Sequence, residues 1–156
     1  MKNIAQPRNI EPKSIQSGFT LIELMVVLII LAIIVAVAIP AYTSNVLTSH
    51  RSDAKTGLLD LATREEKFFS INNSYGNLSD IYAGTATSVT SLATQSGGTA
   101  YYNLSVTPTA PSSSAAASYT ASATPQGGQT ADTACGTFTI TNTGATSVSG
   151  TGTNCW

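Results

Sequence analysis

Apolar positions along the chain fall into three regimes. From residue 19 to residue 39 they are continuous, interrupted only by Thr20 and Glu23. These 21 residues predict a helix about 31 Å long, enough to cross the hydrocarbon of a bilayer. Pro40 follows; it has no N–H and its ring clashes with the preceding turn, so a helix kink is expected there. The pattern then becomes periodic. Tyr42, Val46, His50, Ala54, Leu58, Leu61, Glu65, Phe68 and Phe69 recur at three- and four-residue steps, while Asp53, Lys55, Asp60, Arg64 and Lys67 take the other side. That is one amphipathic face. A single long helix is expected from about residue 19 to about residue 70, with Gly57 a weak point costing about 1 kcal/mol relative to Ala.

The third regime alternates. INNSYGNLSD (71–80) supplies helix-ending residues, and 83–99 shows no strong pattern and is expected to be loop with at most a short strand or turn. AYYNLSVT (100–107), SYTASATP (118–125), GTFTITN (136–142) and, more weakly, TSVSG (146–150) have the period of half-buried strands. Residues 107–118 read as a small-residue loop, and Asn142-Thr143-Gly144 as a turn. The expected fold class is α+β: a long amino-terminal helix with an antiparallel sheet of three or four strands on its second half.

Charge sharpens the first regime. Residues 1–18 hold Lys2, Arg8 and Lys13 against Glu11, while the remainder carries a local charge of −3. A basic polar segment, here with Pro7 and Pro12, before an apolar run is the pattern of a chain sent to a membrane. No charge pattern points to nucleic acid. Residues 71–156 contain 31 Ser and Thr and only two charged side chains, Asp80 and Asp132. So little apolar side chain predicts a thin core that needs a packed helix or a covalent staple. Cys135 and Cys155 are the two cysteines. In an exported chain they read as a disulfide; the alternative is a pair of free or metal-binding thiols, without a nearby His.

Three readings compete for residues 1–40. A secretory signal peptide cut near Ala36-Val37-Ala38 conflicts with the length of the apolar run and with Glu23 inside it. A plain membrane anchor gives Glu23 no task, although intramembrane carboxylates usually have one. The third reading rests on Gly18-Phe19-Thr20-Leu21-Ile22-Glu23, the apolar run and Pro40. This constellation resembles the processing signal of type IV pilins and pseudopilins. The resemblance implies cleavage between Gly18 and Phe19 by a prepilin peptidase and N-methylation of Phe19; the leader of 18 residues is longer than in the commonest pilins. The tail is similar to PilE-type minor pilins at Ala123-Thr124-Pro125, Gln129, Asp132, Cys135-Gly136, Ile140 and the terminal Cys155-Trp156.

The resemblance divides the chain into a leader (1–18), a membrane and filament-core helix (19–40), its amphipathic continuation (41–70) and a globular region (71–156). It implies a structural subunit rather than an enzyme, with no cofactor or metal. Other pilin subunits, the peptidase, the inner-membrane assembly machinery and the membrane itself are the implied partners. The implied location is the inner membrane, with the carboxyl-terminal region periplasmic, and then the extracellular pilus. Attachment, twitching motility and DNA uptake are the implied processes. Cleavage would give Phe19 a cationic amine, unperturbed near pKa 7.7–8.0. Glu23 of one subunit is expected to pair with Phe19 of another during assembly, with an intrachain pair as the alternative geometry. A type II secretion pseudopilin and a membrane-anchored binding domain remain as alternatives. Of the remaining features, His50 is expected to be packed, Glu65-Glu66-Lys67 to form a solvated or subunit-contact face, and the tyrosines to belong to the core. Asp80 and Asp132 are too isolated to hold calcium.

Overall fold

The computed structural model describes residues 18–82, 92–96 and 99–156. Helix α1 spans Leu21–Asn72, and one short helix, α2, spans Leu78–Ile81. Five strands follow: β1 (Leu92–Ser96), β2 (Thr99–Thr109), β3 (Ser118–Pro125), β4 (Phe138–Thr141) and β5 (Thr146–Val148), with a 3-10 turn at Gly127–Ala131. The chain divides into two compact units at Pro40, although the helical assignment of α1 continues through that residue.

In the first unit the described part is the start of α1. Thr20 caps it: its hydroxyl accepts from the Glu23 N–H at 3.2 Å, so the helix begins at the next residue. Residues 18–40 are all exposed.

The second unit begins at Ala41. Its sheet is a meander in the order β1-β2-β3-β4-β5, every pair antiparallel. Alternation decides which side is buried. Tyr102 and Leu104 from β2, Tyr119, Ala121 and Ala123 from β3, and Phe138 and Ile140 from β4 point inward, joining Ala54, Leu58 and Leu61 of α1 in one core. The intervening side chains Ser105, Ser122, Thr139 and Ser147 lie opposite one another in register across four strands. They make up the polar side of a half-buried antiparallel sheet.

The small core residues bring helix and sheet close together. A Cβ on Gly57 would come within 2.8 Å of the Thr94 side chain and 2.9 Å of Leu104. The glycine that looks like a weak point in the helix is therefore where β1 and β2 approach it. α1 ends at Asn73, which has a left-handed φ of 52° and donates its N–H to Phe69 O, as Asn and Gly do at helix ends. Gly144 (φ 77°) closes the β4–β5 hairpin, donating to Thr141 O at 2.9 Å.

The sheet corrects the expectation of three or four strands. β1 falls in the stretch expected to be mostly loop; it is a five-residue strand with weak alternation, held by pairing with β2. The rest of that loop, 83–91 and 97–98, and the leader through residue 17 lie outside the described residues. β2 also runs further than expected, to Thr109. Its register with β1 jumps, Thr94 facing Tyr102 and Gln95 facing Ala100, so Tyr101 is the extra residue of a β-bulge. The bulge turns two consecutive tyrosines to the helix side: Tyr102 is buried, and Tyr101 stacks on His50 of α1 at 3.5 Å between ring centres.

Candidate functional site

The first candidate is the start of α1. Among the described residues, nothing lies within 4 Å of where a Cβ on Gly18 would stand. Phe19 is 87% exposed, and the large apolar side chains from Leu21 to Ile39 all remain at least 40% exposed. A surface this apolar and this large needs lipid or other protein around it. Glu23 lies in the first turn, where the helix dipole favours a negative charge. Thr20 and Glu23 together have the T-x-x-E spacing of a capping box, of which the Thr20 half is formed. In this bond Glu23 takes part through its backbone N–H, and its carboxylate contributes by its place at the positive end of the helix. Gly18, Phe19, Glu23 and Pro40 all belong to this one segment.

The second candidate is a polar network beneath the carboxyl-terminal sheet. Arg51 donates to Asp132 through Nε at 2.7 Å and Nη2 at 2.8 Å, a forked pair in which the Asp132 side chain is only 2% exposed. The pairing raises the already high Arg51 pKa, mainly through the hydrogen bond to Asp132. Gln129 is buried beside it. Its Nε2 donates to Leu47 O and the Tyr102 hydroxyl at 3.0 Å each, and makes a longer contact to Asp132 Oδ2. These bonds hold the 3-10 turn and the chain leading to Cys135 against α1. Asp132, which looked isolated, has its partner 81 positions away. An apolar groove of about 330 Å³ lies alongside, lined by Tyr42, Val46, His50, Tyr101 and Gln129 among others.

Cys135 and Cys155 are disulfide-bonded, both nearly inaccessible. Trp156 rests edge-on against Phe138, and its indole N–H donates to Ser147 O at 3.0 Å. Among the tyrosines, Tyr102 and Tyr119 are core, while Tyr75, Tyr82 and Tyr101 pack partly buried against it.

Glu65 departs from expectation. The Glu65-Glu66-Lys67 triplet is not uniformly solvated, because Glu65 is fully buried on the stripe that contains Leu58 and Leu61. It accepts the Gly76 N–H at 3.0 Å through Oε2, while Oε1 has no partner among the described residues. Burial pushes its pKa above the ordinary value, aided by Asp80 and Glu66 and opposed by the Gly76 bond. The folded state therefore keeps the proton to higher pH than the unfolded chain. Stability contributed by this group should be greatest at low pH and fall as pH rises through the folded pKa. Glu65→Gln removes that slope, so urea unfolding of wild type and variant between about pH 4 and 7 should diverge steadily. Parallel curves would show that Glu65 does not titrate abnormally.

Comparison with known proteins decides the family. Residues 40–139 match the family model described as type IV minor pilin ComP, DNA uptake sequence receptor, and residues 13–39 match the prokaryotic N-terminal methylation motif. The chain belongs to the ComP type IV minor pilin family. Among individual pilins, it is 43% identical over 63 residues to the type IV major pilin protein PilA of Myxococcus xanthus, covering 40% of this chain and 29% of that protein. It is 52% identical over 42 residues to the fimbrial protein EcpC of Eikenella corrodens, covering 27% of this chain and 28% of that protein. A third, the type IV major fimbrial protein FimA of Dichelobacter nodosus, is 51% identical over 41 residues, or 26% of either chain. The matched segments thus span less than a third of these relatives' length. The family is one of structural pilins and not of enzymes.

Proposed function

We propose that this chain is a minor subunit of a type IV pilus, cut between Gly18 and Phe19 by a prepilin peptidase and N-methylated at Phe19. It waits in the inner membrane through residues 19–39, with its globular unit in the periplasm, until the assembly machinery adds it to the filament. The observation that carries this reading is the exposed apolar helix beginning directly after the processing motif. Pro40 is the place where that helix can bend on leaving the bilayer. Mass spectrometry of sheared pili should find this chain, beginning at N-methyl-Phe19, at a small fraction of the major pilin. Equal stoichiometry would make it a major subunit. Its absence from pili, with loss of secreted enzymes on deletion, would make it a pseudopilin.

The family description favours a second reading, a DNA receptor, but charge argues for an indirect part in uptake. Duplex binding depends on Lys and Arg that neutralise phosphates. No Lys or Arg occurs in residues 71–156. Of the four on α1, Arg51 and Arg64 are held by Asp132 and Asp60, leaving Lys55 and Lys67 outside the ion pairs among the described residues. DNA affinity of the purified globular unit should therefore be weak, with a log–log salt slope no steeper than about −2. Tight binding with a slope of about −5 or steeper would restore the receptor reading.

A further inference from the structure

The pilin reading leaves unused the turn between the 3-10 segment and β4. This turn joins a buried ion pair to one half of the disulfide. Asp132 stands three residues before Cys135 and is gripped by Arg51. The turn is tied to itself, Asp132 N–H donating to Gln129 O and Gly136 N–H to Asp132 O. The carboxyl-terminal tail is zipped to the same turn, Gly150 N–H donating to Cys135 O and Gly152 N–H to Ala134 O. Cys135 is 0% and Cys155 3% exposed. Turn, tail and bridge thus form one small body. Among the described residues, the Arg51 fork and the Gln129 bond to Leu47 O attach it to α1 by polar contacts. A cleft of about 250 Å³ lined by Leu47, Arg51, Asp132 and Ala134 separates the two beside the fork, so apolar packing there is incomplete.

We propose that the Arg51–Asp132 pair is a gate on the disulfide. While the pair is closed, no thiol in solution reaches either sulfur. When it opens, the turn and tail lift from α1, and thiol–disulfide exchange proceeds while the remaining helix–sheet core stays folded. In reduction, an incoming dithiol attacks one cysteine sulfur as a thiolate and forms a mixed disulfide, expelling the other cysteine as a thiolate. The second thiol of the reagent then displaces the remaining cysteine. Two electrons pass to the bridge, both cysteines end as protonated thiols, and the reagent ends as a cyclic disulfide. Oxidation by a small disulfide runs the same steps backwards. Arg51 and Asp132 act on this chemistry only by position, through access.

The test uses the full oxidised chain in detergent micelles without denaturant, dithiothreitol as reductant, and alkylation with mass spectrometry to count freed thiols. Asp132→Asn keeps the shape and removes the charge. It should raise the reduction rate on the order of a hundred-fold, the effect of breaking a buried pair. Leu61→Ala, which weakens the core from a fully buried helix position, should leave the rate at the wild-type value, because the gate opens without global unfolding. Should Asp132→Asn fail to fold, Arg51→Lys carries the same test, since it keeps the charge and loses the fork; reduction several-fold faster than wild type is then expected. A wild-type rate in the charge variant that folds overturns the proposal. Equal acceleration by Leu61→Ala also overturns it, because the bridge would then be reached by global unfolding.

Discussion

A Glu23→Gln chain should insert in the membrane and be processed at Gly18–Phe19 normally, yet its content in sheared pili should fall about ten-fold or more, the effect expected from leaving one partner of a buried charge pair alone. Glutamine is chosen because Glu23 now has two candidate roles. It sits three residues after the capping Thr20, and its charge lies at the positive end of a helix. Gln fits the same T-x-x-E/Q spacing, so this variant keeps the Thr20 cap, made through the backbone N–H of residue 23, and removes only the charge. If the charge of Glu23 meets the amine of a neighbouring subunit's Phe19, assembly fails although the helix begins where it should. Such a contact is head-to-tail, and its repetition gives an open filament. Glu23→Leu keeps the backbone bond to Thr20 but loses both the charge and the side-chain acceptor that a capping box uses, and should be no better. Wild-type incorporation of Glu23→Gln alongside failure of Glu23→Leu would reassign Glu23 to capping. Wild-type incorporation of both would leave the residue without a part in assembly.

The same residue shows what was legible in the sequence. Composition announced the apolar helix, and the processing motif announced its start. T-x-x-E is equally visible at the start of the apolar run. Further along, periodicity proved a better guide than charge. Glu65 follows Leu61 by four residues on the inward stripe, and it is indeed buried; the acidic neighbourhood suggested solvent, and the stripe was right. In β2 the doubled Tyr101-Tyr102 broke the alternation, a local sign of the bulge that turns both rings toward α1. β1 had no comparable sign, since five residues with weak alternation are a strand only because β2 is beside them. The Arg51–Asp132 fork was out of reach for a different reason. Its partners are 81 positions apart, and nothing local marks either as paired.

Removing the bridge by Cys135→Ala with Cys155→Ala should lower the stability of the globular unit by about 3 kcal/mol, the loop-closure contribution of a bridge between cysteines 20 positions apart. A drop of roughly 10 °C in the unfolding midpoint should accompany it. The effect is large for this unit because the core it supports is thin. Ala54, Ala121 and Ala123 are all fully buried, and with Gly57 they set the helix close to the sheet. Close packing of small residues excludes water but removes little apolar area from it, so each buried side chain contributes less than a leucine would. The bridge fastens the tail to the turn, which lie so near each other that a Cβ on Gly150 would overlap Ala134 O. Alanine is preferred to serine because it buries no unpaired hydroxyl at either site. Reduced wild-type protein provides the comparison without any change in side-chain volume. If the loss comes from the missing cross-link, reduced wild type and the double variant should share one urea midpoint, well below that of the oxidised protein. If only the variant is destabilised, the cost lies in the packing around Cys135 and Cys155, and the bridge contributes little.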